Sequence, residues 1–343
     1  MMGYPWSVIG LLAFLYAIVA VYVISLSHKS FRALYSGKTC SITVAAATVM
    51  VLVFGFTGVS RGLPYYVIML ALSGTMGLAL AADLHHIRSR RLAPVLAHLG
   101  VFIAMTAGIF GYADKQSCKV TAYLGHSESV GLDEDGMKVD LPFMITLHSF
   151  DIERYPLKYS IKSPDGELTS SEASEKWRIT VLESMDMAVK KPGSDVWEEL
   201  RHVGAEPASL IRADGPGGMF VTGWVACGSF MFDPSVLPLP DGSEVVMDAP
   251  APQQYTSAVS VTDARGRRKS LDVSVNHPAK LGAWRIYQAS YDVRKGRWSD
   301  YSVLQCVHDP WYPVISVGLW IILLSALLMM FTAGRGRKEE KKK

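Results

Sequence analysis

Five long apolar stretches constrain the fold of this chain more than any other feature. Each is nearly free of charged residues, and they lie at 5–27, 39–60, 62–82, 93–112 and 311–333. A helix needs about 20 such residues to cross the hydrocarbon core of a membrane. The sequence therefore predicts an α-helical bundle of five transmembrane spans. The first four spans lie within residues 1–112, and the polar segment 113–310 forms one large domain outside the membrane.

The Lys and Arg residues near the ends of the stretches predict the orientation of the chain. One side would hold twelve of them: Lys29, Arg32, Lys38, Arg88, Arg90, Arg91, Arg335, Arg337, Lys338, Lys341, Lys342 and Lys343. The other side would hold only Arg61. Because such residues concentrate in the cytoplasm, we expect the N-terminus and residues 113–310 outside and the basic tail 334–343 inside. We expect no cleaved signal peptide, and a membrane anchor explains the tail better than a nucleic-acid patch does.

The polar segment 113–310 has the pattern of an antiparallel β domain. Turn signals such as Pro164-Asp165-Gly166 and Pro240-Asp241-Gly242 separate its short β-rich runs. Many short strands with such turns favour a β-sandwich or an open barrel. The predicted strands are 143–147, 177–182, 219–224, 258–262, 271–275, 284–289 and 302–307. A short helix is expected near 195–202.

The outer segment lacks the motifs of an enzyme centre. It has no Gly-x-Ser-x-Gly elbow, no His-Glu-x-x-His helix and no phosphate-binding glycine loop. Of the four cysteines, Cys40 is expected on the cytoplasmic side, and Cys118, Cys227 and Cys306 outside. An oxidising exterior permits one disulfide among these three, while buried unpaired thiols are the alternative. We interpret the outer domain as a scaffold or binding module without catalytic residues.

His98 is the residue of the predicted spans that most suggests chemistry. It lies about six residues into the fourth stretch, where ionisable groups usually face a bundle interior or a cavity. Gly100, Ala104 and Gly108 form a small-residue ridge for close helix packing, and His98 points away from it. A neutral imidazole can bind haem iron while its second nitrogen makes an orienting hydrogen bond. The alternative is a histidine bonded to a helix neighbour or reaching the interface.

The other histidines have weaker claims to a binding role. His85 and His86 end the third stretch and are expected at the cytoplasmic interface. A lone histidine in the outer domain is usually a surface or core residue, although His277 and His308 belong to motifs near the last span. The outer histidines are His126, His148, His202, His277 and His308.

Three groups of residues resemble the ResB/CcsB family. The first is Leu141-Pro142-Phe143, Leu147, Phe150, Ile152-Glu153 and Tyr155-Pro156. The second is Val275-Asn276-His277-Pro278, Gly282, Tyr287-Gln288-Ala289-Ser290-Tyr291-Asp292, Ser302-Val303-Leu304 and Asp309-Pro310. The third is the helix with His98, Gly100, Gly108 and Gly111. The chain departs from the family in its extra N-terminal span, its missing first outer loop and residues 170–255, which match no signature.

The resemblance implies a system II cytochrome c maturation factor of the bacterial cytoplasmic (inner) membrane. Such a protein acts with a CcsA/ResC-like partner, which carries the tryptophan-rich WWD domain that this chain lacks. Together they move haem across the membrane and present it to apocytochrome c. This chain would be a non-catalytic subunit of a haem-handling synthase complex. Haem would be bound transiently and shared with the partner, and His98 would meet a metal only through haem iron.

The resemblance also gives a set of motif residues for which we expect a structural role. They are Asn276, Pro278, Tyr287, Gln288, Tyr291, Asp292, Asp309 and Pro310. Two other functions stay open. One is a non-haem scaffold that docks apocytochrome or stabilises the partner. The other is a transporter subunit, which the absence of charged residues and paired broken helices in the spans disfavours.

Overall fold

The computed structural model describes residues 4–57, 62–87 and 92–340, with side chains as far as residue 331. Its contacts divide the chain into a helical unit, Met1–Gln116 with Val307–Lys343, and a β unit, Ser117–Cys306. The basic residues Arg61, Arg88, Arg90, Arg91 and 341–343 lie outside the described residues, as do the side chains of 332–340. The predicted orientation therefore stays a prediction.

The helical unit contains the five predicted apolar helices. They are α1 (Trp6–Ser27), α2 (Gly37–Thr57), α3 (Leu63–His85), α4 (Leu92–Gly111) and α5 (Tyr312–Glu340). Each includes a segment long and apolar enough to cross a membrane, which confirms the five-span prediction. Helix α3 continues past the predicted end at residue 82 as far as His85, and Asp83 is therefore a helical residue.

Helices α4 and α5 pack closely through small residues. A Cβ atom on Gly100 would lie 2.7 Å from the carbonyl oxygen of Gly318, and a Cβ on Gly318 would lie 2.8 Å from that of Gly100. Ala104 also borders Gly318. The predicted ridge is thus confirmed at Gly100 and Ala104. It is wrong at Gly108, where a Cβ would have no described atom within 4 Å.

Adding a methyl group at this crossing should destabilise the helical unit. Gly100→Ala and Gly318→Ala would each bring a Cβ against backbone atoms that cannot rotate away. We expect each variant to lose on the order of 1–3 kcal/mol of stability, as for other overpacked sites. Thermal unfolding in detergent measures the loss. Gly55→Ala in α2 is the matched control, since its Cβ would meet no described atom within 4 Å. Equal melting of all three variants would contradict the packing.

Asp114 holds together the starts of α1 and α5 and the end of α4. Its carboxylate oxygen Oδ2 accepts hydrogen bonds from Ser7 Oγ at 2.7 Å and from Trp311 Nε1 at 2.6 Å, and Oδ1 accepts the N–H of Tyr4. Gly111 leaves room for the Trp311 ring, because a Cβ there would lie 2.3 Å from Trp311 Cγ. One carboxylate thus connects the starts of α1 and α5 to the segment that follows α4.

The β unit is built from sixteen strands. They are β1 (Gln116–Tyr123), β2 (Ser127–Leu132), β3 (Lys138–Arg154), β4 (Tyr159–Lys162), β5 (Leu168–Ser170), β6 (Arg178–Lys190), β7 (Trp197–Glu199), β8 (Glu206–Asp214), β9 (Phe220–Ala226), β10 (Leu237–Pro238), β11 (Glu244–Met247), β12 (Pro252–Asp263), β13 (Arg268–Ser274), β14 (Ala279–Leu281), β15 (Trp284–Tyr291) and β16 (Tyr301–His308). The strands pair antiparallel, for example β3 with β12 and β6 with β8, and each of the seven predicted strands overlaps one of the sixteen.

Eight of the strands form one curved, barrel-like sheet. Their order is β13-β12-β3-β2-β1-β16-β15-β14. The two ends of this sheet meet, since Ser274 at the end of β13 forms a bridge with His277 just before β14. Phe143 of β3 packs edge-on against Trp284 of β15, with 5.5 Å between ring centroids. A barrel-like sheet of this kind was one of the two predicted architectures.

The remaining strands form two four-stranded sheets, in the orders β10-β11-β4-β5 and β7-β6-β8-β9. A shared core joins them as a sandwich, formed by Tyr159, Ile161, Trp177, Ile211, Ala213, Val225, Leu237, Leu239, Val245 and Met247. The helix expected near 195–202 is wrong, because Trp197–Glu199 pair with β6. Trp197 also stacks on Trp224 at 6.1 Å. So short a segment cannot nucleate a stable helix by itself, and strand pairing with aromatic packing decides its structure.

Candidate functional site

His98 of α4 forms a short contact with Asp83 of α3. The distance between His98 Nδ1 and Asp83 Oδ2 is 2.8 Å. Since an ionised carboxylate can only accept, Nδ1–H donates this hydrogen bond. The Asp83 side chain is 14% exposed and that of His98 is 40% exposed. The pair is therefore anchored on the carboxylate side and open on the imidazole side.

The hydrogen bond fixes which nitrogen of His98 can act. With the proton held on Nδ1, Nε2 of the neutral ring carries the lone pair. Within the part of the chain that the structure describes, the His98 ring forms its hydrogen bond through Nδ1, and Nε2 forms none. Metal-binding histidines commonly donate their other N–H to a carboxylate in this way. The contact thus orients the ring and leaves Nε2 without a hydrogen bond to a described residue.

The two faces of α4 are used as the sequence predicted. Gly100 and Ala104 face α5, while His98 turns to α3. The hydrogen-bonding neighbour that the sequence left open is Asp83. Asp83 was missed because the predicted span ended at residue 82, which placed its carboxylate in a loop. An acidic residue directly after an apolar stretch was the available signal, but its pairing across two helices is a tertiary contact.

The remaining histidines do not join His98 in a cluster. His85 packs edge-on against Tyr22 and lies 4.8 Å from the ring of His86, measured between centroids. His148 Nε2 contacts Ser260 Oγ at 2.8 Å on the β unit, and His277 is exposed in a turn. Among the described residues, no group of three or more His, Cys, Asp or Glu side chains could hold a metal ion. A bare metal site therefore has no support in the described part of the chain.

Gln288 lies at the centre of a polar network inside the barrel-like sheet. Its Oε1 accepts a hydrogen bond from Ser257 Oγ at 2.7 Å, and its Nε2 donates to Ser302 Oγ at 2.8 Å. Both serines are fully buried. The network connects β12, β15 and β16, and every polar atom in it has a partner, as a buried group requires. Gln288 therefore has a structural place in the sheet.

Three further motif residues lie on or just after β15. Tyr291 packs against Phe150 and Tyr255, each with 4.9 Å between ring centroids. Burial and a hydrogen bond with Tyr255 raise the pKa of Tyr291 to about 12, so it stays protonated. Asp292 orders the next turn by accepting the N–H of Arg294 at 3.1 Å. Tyr287 is half-buried on the strand.

Asn276 occupies a left-handed backbone position, with φ of 65°. It lies in the tight turn between β13 and β14, which is closed by the His277 N–H donating to Ser274 O at 3.1 Å. Pro278 follows directly and fixes the entry to β14. Asparagine tolerates this conformation better than most residues with a side chain. Glycine, which has no Cβ, adopts it without steric cost.

Substitution of Asn276 should follow its backbone requirement. Asn276→Val should lose about 1–2 kcal/mol, the cost of a left-handed conformation for an L-residue. Asn276→Gly should keep wild-type stability, because glycine adopts this conformation freely. Chemical denaturation of the purified protein, followed by its tryptophan fluorescence, compares the two. Equal loss in both variants would show that the asparagine side chain, and not the backbone conformation, is needed.

Asp309 and Pro310 lie just before the last helix, which begins at Tyr312. Asp309 Oδ1 accepts the N–H groups of Trp311 at 3.1 Å and Tyr312 at 2.9 Å. This is the capping role of an aspartate at a helix N-terminus, and Pro310 is compatible with the first turn. The motif residues of the second group thus have structural contacts in two different units.

Comparison with known proteins gives one family match. Residues 243–298 match the family described as the ResB-like family. This segment contains the run from Val275 to Asp292, but not residues 141–156, 302–304 or 309–310 of the motif groups. No curated protein matches the chain.

One solved structure that matches is titled Cytochrome c Heme Lyase CcmF. It has 11% sequence identity and a TM-score of 0.25, and the alignment covers 85% of this chain and 34% of that one. This chain thus spans about a third of the length of that protein. The match of residues 243–298 supports the resemblance to the ResB-like family for that segment of the chain.

Proposed function

We propose that this chain is a membrane subunit for cytochrome c maturation that binds haem through Nε2 of His98. The observation that carries the proposal is the 2.8 Å contact between His98 Nδ1 and Asp83 Oδ2, which leaves Nε2 unbonded by any described residue, on a side chain that is 40% exposed. The family match to residues 243–298 supports a role in cytochrome c maturation, and the His98–Asp83 contact supports haem as the cofactor.

A single histidine suits haem better than it suits a bare metal ion. The porphyrin supplies four nitrogen ligands to iron, so the protein needs to add only one or two axial ligands. Asp83 would hold the proton on Nδ1 and orient the ring, and a carboxylate partner of this kind strengthens an imidazole ligand. When bound, haem would supply the iron that His98 ligates and the vinyl groups through which haem becomes attached to the cytochrome. This chain's residues supply the ligand and its orientation.

The open side of His98 calls for a second surface, which we assign to a CcsA/ResC-like partner with a WWD domain. The helical unit has apolar side chains to offer such a partner. Helix α2 packs mainly against α3, and its Val49 and Phe56 are exposed, as are Trp320 and Leu324 of α5. Lipid or another membrane protein must cover these side chains.

The predicted orientation gives this site a direction. If the loop between α3 and α4 is cytoplasmic, as its basic residues predict, His98 and Asp83 lie at the cytoplasmic end of their helices. Haem made in the cytoplasm would then meet His98 first and pass outward with the partner. The β unit would be the part available to apocytochrome c outside.

A non-haem scaffold is the second candidate, and the same contact gives it some support. The Asp83–His98 pair would also satisfy a buried carboxylate between two helices without any ligand, and the large β unit could dock apocytochrome or stabilise the partner alone.

Expressing the chain alone and with its partner separates the two functions. Haem in each purified sample is measured as the pyridine haemochrome, for the wild type and His98→Ala. The haem-binding function predicts that the complex loses haem when His98 is replaced. Haem content that depends only on the partner, whatever residue stands at position 98, would establish the scaffold. Co-purification of His98→Ala with the partner shows that the complex itself is intact.

A further inference from the structure

Cys118 and Cys306 lie on neighbouring strands of the barrel-like sheet. Strand β1 follows α4 in the chain, strand β16 precedes α5, and the two are adjacent in the sheet. Leu124 N–H donates to Asp300 O at 2.9 Å, and the rings of Tyr123 and Tyr301 lie 5.7 Å apart. Continuing this antiparallel register along β1 places Cys118 opposite Cys306.

The two thiols share the core of the sheet. Cys118 is 2% exposed and Cys306 is 0% exposed, and both belong to the same cluster of buried residues. The neighbouring Cys118 thiol, together with burial, raises the pKa of Cys306. Directly opposed strand residues have Cα atoms about 4.5–5.5 Å apart, within the range that a disulfide spans.

Cys227 does not compete for either partner. It packs against the core of the sandwich, in the other part of the β unit, and its thiol donates to Gly228 O at 3.5 Å. Burial raises the pKa of its thiol to about 11, which disfavours the reactive thiolate. Cys40 lies in α2.

We propose that Cys118 and Cys306 form a disulfide in the mature protein, which joins the first and last strands of the β unit. The oxidant is a protein disulfide of the extracytoplasmic compartment. Two thiol–disulfide exchanges form the Cys118–Cys306 bond, break the oxidant's disulfide and leave the oxidant as a dithiol. The two protons pass from Cys118 and Cys306 to the reduced oxidant. Since buried thiols exchange slowly, the reaction takes place while β1 and β16 are still pairing.

The bond would close almost the whole β unit into one covalent loop. Cross-linking residues far apart in the chain limits the unfolded state most strongly. It would also tie together the two strands that continue into α4 and α5. Separation of β1 from β16 would then require reduction, whatever cofactor the helical unit binds.

Counting thiols in the full-length protein tests the proposal. Membranes are quenched in acid, dissolved in detergent that unfolds the chain, and treated with a maleimide polymer that adds mass at each free thiol. We expect two adducts before reduction, at Cys40 and Cys227, and four after it. Four adducts before reduction would overturn the proposal.

Two variants identify the pair even if one of them folds poorly, because the readout uses unfolded chains. Cys227→Ser should give one adduct before reduction and three after it. Cys118→Ser should give three adducts in both conditions, since Cys306 has lost its partner. A gain on reduction in Cys118→Ser, or none in Cys227→Ser, would assign the disulfide to Cys227 and overturn the proposal. The experiment reads no haem, so it is independent of the proposed function.

Discussion

Replacing His98 with alanine should remove most of the haem from the purified complex. If Nε2 of His98 binds haem iron as proposed, the variant loses a ligand outright. Loss of an outer partner of a metal-binding histidine already weakens binding about 10- to 100-fold, so loss of the histidine itself should cost at least as much. Haem titration followed by the Soret absorbance measures the change in affinity. Any haem that remains should have an altered absorption spectrum, because His98 no longer contributes a ligand.

His85→Ala is the matched control for this experiment. His85 lies at the end of α3, near the helix position of Asp83, and its ring packs on Tyr22. It carries no part of the proposed site, so its removal should leave haem affinity unchanged. Equal haem loss in both variants would indicate general damage to the helical unit, and full haem retention in His98→Ala would contradict the ligand role.

Replacing Asp83 should weaken haem binding through His98. In Asp83→Ala the imidazole loses its orienting partner at 2.8 Å and becomes less basic. We expect haem affinity to fall about 10- to 100-fold, the usual effect of losing such a partner. A less basic ligand also stabilises ferric iron less, so the midpoint potential of the haem should rise. Haem titration and spectroelectrochemical titration measure the two effects.

The double variant shows whether Asp83 acts through His98. If it does, Asp83→Ala should have no further effect on haem affinity in the His98→Ala background, since effects on one interaction are not additive. Asp83→Asn should fall between wild type and Asp83→Ala, because an amide oxygen still accepts from Nδ1–H but lacks the charge. Unchanged affinity and potential in Asp83→Ala would show that the carboxylate only joins α3 to α4.

Local patterns in the sequence predict much of this fold. Hydropathy alone predicts the five helices, because a membrane span needs a long apolar segment. Alternating runs between turn signals predict seven strands, each of which overlaps one of the sixteen in the structure. The spacing of small residues predicted that Gly100 contacts another helix. It did not predict that this helix is α5, because the α4 sequence carries no information about its partner.

Features that depend on distant residues were not predictable. The closing of the barrel-like sheet rests on contacts such as that between Phe143 and Trp284. Trp197 belongs to a strand because its segment pairs with β6 and its ring stacks on Trp224, and not because of its neighbours in the chain. Asp83 became part of the candidate site for the same reason. His98 could be singled out from the sequence as a candidate, because a histidine within an apolar stretch is unusual wherever its partners lie.

Chemical rescue of His98→Gly with imidazole tests most directly whether His98 Nε2 binds haem. The variant, purified with its partner, leaves a space where the ring of His98 stood. If Nε2 is the ligand, added imidazole should restore haem binding and the wild-type absorption spectrum, and it should not change the wild-type complex. A His98→Gly complex that keeps its full haem content, with a spectrum identical to that of the wild type and unaffected by imidazole, would contradict the assignment.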